Sequence, residues 1–327
     1  MHLIAGLLLL IGGAELLVRG ASRMAAFFGV SPLVIGLTVV AFGTSSPELA
    51  VSIGAAWSGS ADLAVGNVVG SNIFNVLLIL GLSAAIIPLA VAQQLVRIDV
   101  PLMIGASVLL LLLSIDGMLG RGDGVLLLGG GLGYVVLNLR LARRESKAVA
   151  LEYTKAFPPP AKTVGTQAAV DAANIAGGLA MLYFGSEWLV HGAVVLARAW
   201  GVSELIIGLT IVSAGTSMPE VATSVMAAIR GERDIAVGNV IGSNIFNILY
   251  VLGISGIVAP KGVPVSLQAL EADMPIMIAV AFACFPVFFR GVIGRWEGAV
   301  FLAYYVAYVG YLVLHATGHD LLPVFKE

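Results

Sequence analysis

Glu48 and Glu220 each stand in the middle of an otherwise apolar stretch, within the hexapeptides Gly43–Glu48 (GTSSPE) and Gly215–Glu220 (GTSMPE). A carboxylate near the centre of a bilayer costs about 2.5–3.5 kcal/mol on insertion scales, so such a group faces a bundle interior or an ion pathway. Its neighbours bring further oxygen: Thr44, Ser45, Thr216 and Ser217 supply hydroxyls. Pro47 and Pro219 lack an N–H and clash with the turn before them, so one helix must end or kink where another begins. Hydroxyls able to cap, proline at the first helical position and an acid in the first turn all mark a helix start. A helix broken at that point leaves carbonyls of its first half without intrahelical donors, at the negative end of the dipole. The carbonyls near Ala41 and Ser213 are therefore expected at the same cavity as the glutamates. This is an all-oxygen cage. It suits hard cations, calcium above all, which takes about 6–8 oxygen ligands.

A second motif follows each of these. Gly70–Asn75 (GSNIFN) reappears as Gly242–Asn247 (GSNIFN). Ser71 and Asn75 are four residues apart and share a helical face, as do Ser243 and Asn247, so they can add neutral oxygens to the cavity. Interhelical hydrogen bonding is the competing use of such polar residues. Gly66-x-x-x-Gly70 and Gly238-x-x-x-Gly242 permit close helix packing.

The elements that must hold these groups repeat as well. An offset of 172 aligns the stretches from Gly13, Val30 and Gly66 with those from Gly185, Val202 and Gly238, and after a two-residue slip Pro101 faces Pro275. Hydrophobic residues make up 59% of the 327-residue chain and charged residues 11%, with mean hydropathy +1.02. A soluble globule of that composition would expose large apolar patches. With 17 Lys and Arg against 19 Asp and Glu there is no basic footprint for nucleic acid. The single Cys284 excludes an internal disulfide framework and is a small apolar filler.

Long apolar runs without period-2 alternation predict membrane helices. We expect ten spans, near residues 3–27, 31–57, 63–88, 98–115, 123–140, 169–197, 203–229, 235–258, 272–289 and 296–316. The first lacks a positive n-region and has a counterpart later in the chain, so it reads as a retained span rather than a signal peptide. Five spans per half turn the second half upside down, the inverted-repeat plan of many secondary transporters, with broken helices at the midplane. The expected organisation is a first five-helix repeat (1–140), a cytoplasmic linker (141–168) made semi-rigid by Pro158, Pro159 and Pro160, and a second repeat (169–327). Of the 17 basic residues, all but Arg121, Arg198, Lys261 and Lys326 fall on one side of this arrangement. By the positive-inside rule that side is cytoplasmic, which puts both termini outside the cell's inner (plasma) membrane.

Other polar residues have simpler readings. Glu15 and Arg19 form an i,i+4 ion pair, Glu187 faces His191 at the same spacing, and Asp62 and Asp234 read as helix N-caps. His315 and His319 are four apart, with no further ligand converging on them.

Together, the paired GTS-x-PE and GSNIFN motifs in two five-helix halves resemble the calcium:cation antiporter superfamily, particularly prokaryotic sodium/calcium exchangers, over nearly the whole chain. The resemblance implies that Glu48 and Glu220 bind calcium. It further implies that Thr44, Ser45, Thr216, Ser217, Ser71, Asn75, Ser243 and the carbonyls of Ala41 and Ser213 surround the exchanging ions. It implies that calcium and its counter-ion bind alternately while the first and sixth spans slide across the bundle. Sodium/calcium exchangers often carry an aspartate where this chain has Asn247, and proton-coupled calcium relatives also tend to lack that acid. Asn247 thus leaves both counter-ions open; the Thr and Ser hydroxyls, which sodium needs and a proton does not, favour sodium, with protons as the alternative. The expected substrates are inorganic cations, with no prosthetic group, no catalytic residues and no protein partner besides the lipid bilayer. A passive channel would need a continuous pore, which broken helices in inverted repeats disfavour. An intramembrane hydrolase would need a nucleophile and base within reach, and the sequence offers no such set.

Overall fold

The computed structural model of the protein describes residues 2–58, 62–156, 164–201, 207, 211 and 213–316. Its described residues are almost entirely helical: α1 (His2–Phe28), α2 (Pro32–Thr44), α3 (Ser46–Ser58), α4 (Leu63–Ile86), α5 (Leu95–Leu113), α6 (Arg121–Ala156), α7 (Val164–Ala199), α8 (Met218–Ile229), α9 (Arg233–Val258), α10 (Ala269–Phe289) and α11 (Arg295–Ala316). Eight of these are long and apolar enough to cross a membrane, and the α2–α3 pair, bent by 45°, makes a ninth span. Of the expected span 203–229, the second half is α8, while most of the first half lies outside the described residues.

Helices α6 and α7 run well past the expected spans 123–140 and 169–197, reaching Ala156 and starting at Val164. The part of the expected linker 141–168 that is described is thus helical: Leu, Ala, Arg, Glu and Lys dominate residues 141–156, and all are strong helix formers. The three prolines lie outside the described residues. Asp234 falls in the first turn of α9 rather than at its cap, because the helix already begins at Arg233. The side chains of Asp62 and His315, and the whole of His319, lie outside what is described.

At the centre, α4 and α9 are the most enclosed of the long helices. Around them exposed Leu7, Leu8, Leu112, Leu126 and Tyr304 face outward, and Trp57, Trp200 and Trp296 sit exposed at helix ends. That is the pattern of a lipid-facing surface with aromatic residues at its borders. Two short antiparallel ladders tie the loops between helices. Leu89–Ala90 pairs with Val292–Ile293, and Met118–Leu119 pairs with Val263–Pro264. Each ladder joins one half of the chain to the other.

Two helices from opposite halves, α1 and α7, meet backbone to backbone. A Cβ on Gly13 would lie 2.8 Å from the Gly178 carbonyl oxygen and 2.9 Å from the Leu182 nitrogen, and a Cβ on Gly178 would lie 2.8 Å from the Gly13 oxygen. Gly6 and Gly185 repeat the arrangement one turn-pair away. Backbone touches backbone along this seam, so α1 and α7 behave as one body. Arg19 and Arg230 both pair with Glu15, Arg230 through two bonds of 2.8 and 2.6 Å, which fastens α1 to the end of α8. The Gly238-x-x-x-Gly242 motif is also used: its glycines pack on Leu33 and Leu37 of α2. No described residue of another element lies within 4 Å of a Cβ placed on Gly66 or Gly70.

Adding one methyl group to the seam should therefore force the two helices apart. Gly13→Ala is expected to lower the melting temperature of detergent-solubilised protein, at a cost of about 1–3 kcal/mol for overpacking. Gly177→Ala, whose Cβ has no neighbour within 4 Å, is expected to leave it unchanged. Tryptophan-fluorescence melting of the two variants checks this.

Candidate functional site

The bend between α2 and α3 centres on Ser45, whose backbone (φ −82°, ψ 8°) leaves the helical region just before Pro47. Ser217 has nearly the same conformation (φ −89°, ψ 7°), with Pro219 following in the first turn of α8. In both places proline removes the donor that would continue the ladder and the chain turns. Glu48 and Glu220 then project from the first turns of α3 and α8. Both are fully buried.

The serine hydroxyls do not cap their own helices, which corrects the sequence expectation. They cross over instead. Ser45 Oγ donates to Glu220 Oε1 at 2.8 Å, and Ser217 Oγ donates to Glu48 Oε1 at 2.8 Å. A capping hydroxyl would accept a backbone N–H; here each hydroxyl is turned to donate its O–H to a carboxylate, a charged and therefore strong acceptor, on the opposite half. Ser217 Oγ also lies 3.1 Å from Ser71 Oγ. The threonines cross over too: Thr44 Oγ1 donates to Asn239 Oδ1 at 3.1 Å and Thr216 Oγ1 to Asn67 Oδ1 at 3.4 Å.

The buried candidates Thr44, Ser45, Glu48, Ser71, Asn75, Ser217, Glu220, Ser243 and Asn247 are thus carried by the two bends and by α4 and α9, with Thr216 partly buried beside them. Ala41 is buried as well, but its carbonyl already accepts the Ser45 N–H at 3.0 Å, while the Thr44 hydroxyl 3.4 Å away gives its one proton to Asn239 at the shorter distance. The helix continues one turn further than a break at Ala41 requires, so only the carbonyl's second lone pair is available. Ser213 opens the turn Ser213–Gly215, and its side chain lies outside the described residues.

Three pairs of polar residues in this network were not singled out from the sequence. Asn67 donates to Ser52 Oγ at 3.1 Å and to the Glu48 carbonyl at 3.4 Å, and Asn239 donates to Ser224 Oγ at 2.9 Å. Asn72 and Asn244 bridge α4 and α9. The signal was present: Asn67, Ser52 and Asn72 recur at the same 172-residue offset as Asn239, Ser224 and Asn244, each inside an apolar span.

Five buried oxygens here have no hydrogen-bond partner among the described residues: Glu48 Oε2, Glu220 Oε2, Asn75 Oδ1, Asn247 Oδ1 and Ser243 Oγ. An acceptor left unmatched in a low-dielectric interior costs about 1–3 kcal/mol, and a charged one more. No Lys, Arg or His among the described residues pairs with either glutamate. No third Asp, Glu, His or Cys among the described residues joins them. What the cluster offers is two negative charges and several neutral oxygens, the donor set of a hard cation.

Comparison with known proteins agrees with that chemistry. The family model described as sodium/calcium exchanger protein matches residues 1–140 and 172–314. The chain is 43% identical over 320 residues to the putative antiporter CaxA of Alkalimonas amylolytica, covering 96% of this chain and 97% of that one. It is 34% identical to the sodium/calcium exchanger MaX1 of Methanosarcina acetivorans, covering 94% and 96%. A solved structure of the sodium-calcium exchanger NCX_Mj superposes with a TM-score of 0.80 at 31% identity, over 95% of this chain and 97% of that one.

Proposed function

This chain belongs to the sodium/calcium exchanger family, a prokaryotic type within the calcium:cation antiporters, and from that premise we propose that it moves calcium out of the cell in exchange for sodium. A multi-pass cation/calcium antiporter is the family's common ground. The finer reading concerns the site, the driving ion and the orientation.

The observation that carries it is the pair of buried carboxylates. Each has one oxygen held by a serine of the opposite half and the other without a partner. Two such charges neutralise one divalent ion, whereas either alone would leave a net positive charge in a medium of low dielectric. Glu48 and Glu220 are therefore the calcium ligands, with Asn75, Asn247 and Ser243 supplying neutral oxygens and Ser45, Ser217, Ser71, Thr44 and Thr216 arranged around them. The backbone carbonyls of Ala41 and Ser213 complete the set. No prosthetic group or catalytic residue enters this reading.

Sodium is favoured as the driving ion by the hydroxyls and amides around the carboxylates. A proton needs only a carboxylate, whereas sodium needs several neutral oxygens around each ion. Proton exchange is the second reading, and the neutral Asn247 in place of an acid is what favours it. The reciprocal bonds between the halves support ten spans in two inverted repeats. Alternating access then follows from motion of the α1–α7 body against the rest. The basic residues support external termini in the plasma membrane, with 141–168 on the cytoplasmic side.

In proteoliposomes, Glu48→Gln and Glu220→Gln are each expected to abolish calcium exchange while the protein still elutes as a folded species. Normal calcium transport by either variant sinks the site assignment. With wild-type protein at constant pH, replacing external sodium by choline is expected to stop calcium efflux from loaded vesicles. Undiminished efflux in choline, accelerated by an inward proton gradient, would establish proton coupling instead. For topology, Lys155→Cys is expected to resist an impermeant maleimide applied to intact cells and to react after permeabilisation. Reaction from outside would invert the arrangement.

A further inference from the structure

Four asparagines close a circuit between α4 and α9, and its polarity is fixed from outside. Asn72 Nδ2 donates to the Asn244 backbone carbonyl at 3.1 Å and faces Met277 Sδ at 3.7 Å. Asn244 Nδ2 does the same in return, donating to the Asn72 carbonyl at 3.3 Å and facing Met103 Sδ at 3.5 Å. A backbone carbonyl can only accept, so the NH2 of each amide is committed to it. Turning either amide over would set oxygen against oxygen there. The Oδ1 atoms of Asn72 and Asn244 must then point the other way. There, Asn247 Nδ2 donates to Asn72 Oδ1 at 3.1 Å, and Asn75 Nδ2 donates to Asn244 Oδ1 at 2.9 Å. With those NH2 groups engaged, Asn75 and Asn247 turn their own oxygens away from the circuit. These are two of the buried, unpartnered oxygens of the site.

We infer that Asn72 and Asn244 are positioning residues that fix the amides of Asn247 and Asn75, respectively, with oxygen toward the transported cation. The inference rests on the reading of the cavity as the calcium site. Released from the circuit, an asparagine amide presents NH2 as readily as oxygen, and an N–H donor repels a cation. The pairing is crossed. Asn72 governs Asn247 on the other helix and not Asn75, which lies one turn away on its own. The same circuit explains why position 247 carries an amide: a carboxylate there would put an oxygen 3.1 Å from Asn72 Oδ1, acceptor against acceptor. A merely structural polar pair would lack this crossed pattern.

Double-mutant cycles on the calcium KM of exchange in proteoliposomes test it. Asn72→Leu, which keeps the volume but not the amide, and Asn247→Ala are each expected to raise the KM about tenfold, and the double variant no further than the larger single change. Asn72→Leu combined with Asn75→Ala is expected to show multiplied effects. Multiplied effects in both cycles, or equal coupling in both, would overturn the inference. If Asn72→Leu does not fold, the mirror cycle of Asn244→Leu with Asn75→Ala, and with Asn247→Ala as its uncoupled control, decides by the same criteria. Calcium exchange by the wild type separates the two levels. Its absence overturns the calcium reading, whereas its presence with uncoupled asparagines overturns only the positioning role.

Discussion

Two ionisable carboxylates buried in a membrane bundle without a protein cation beside them are the constraint on which this structure turns. Glu48 and Glu220 lose their hydration, and neither gains an arginine or lysine in exchange. Replacing one by an apolar side chain would relieve that cost, as it does for many buried charges. The chain instead surrounds them with hydroxyls and amides, groups that stabilise charge without cancelling it. Cancelling both charges would take a cation from outside the described residues. A cation that bound only the folded bundle would stabilise it by an amount that grows with the logarithm of its concentration.

That arrangement requires both halves of the chain at once. Each glutamate is held by the serine of the other half, each threonine reaches the asparagine of the other half, and each short ladder joins one half to the other. Neither half on its own would complete a site. The oxygens are carried by the two bends and by α4 and α9, while the glycine seam binds α1 to α7 outside them. The buried oxygens and the glycine seam thus sit on different elements.

Much of this was legible in the sequence, and the remainder fails to show for identifiable reasons. The two acids, the proline bends and the 172-residue repeat needed only local chemistry and pattern. The repeat tells which residues are equivalent, but not whether Ser45 serves Glu48 nearby or Glu220 across the interface. Asn72 and Asn244 look like ordinary spacer positions beside Ser71 and Ser243, and only the crossing of α4 over α9 gives them a task. Wide π-type turns at Gly36–Val40, Asn75–Leu80 and Asn247–Leu252 leave no mark in composition. Two of them start at site asparagines, which fits the tendency of such turns to occur at functional positions. The helical continuation through residues 141–156 is written in their helix-forming side chains, which the polarity that marks the stretch as a connection between the halves does not reveal.

The repeat is not perfect, and its flaws fall where the outer pair meets the core. Pro219 deprives the Gly215 carbonyl of its i+4 donor, and Ser186 on α7 supplies one at 2.5 Å. The equivalent of Ser186 in the first half is Ala14, which has no hydroxyl. Beside the other bend, a Cβ on Gly43 would run into the side chain of Leu179. The ionic contact is one-sided too, since Arg230 grips Glu15 where the first half has Ser58. Displacing α7 from the bend at Gly215 would exchange a buried hydrogen bond for an unmatched carbonyl, and displacing α1 from α8 would give up a bidentate ion pair. The two bends are therefore held unequally at their periphery, even though the buried oxygens between them are nearly symmetric.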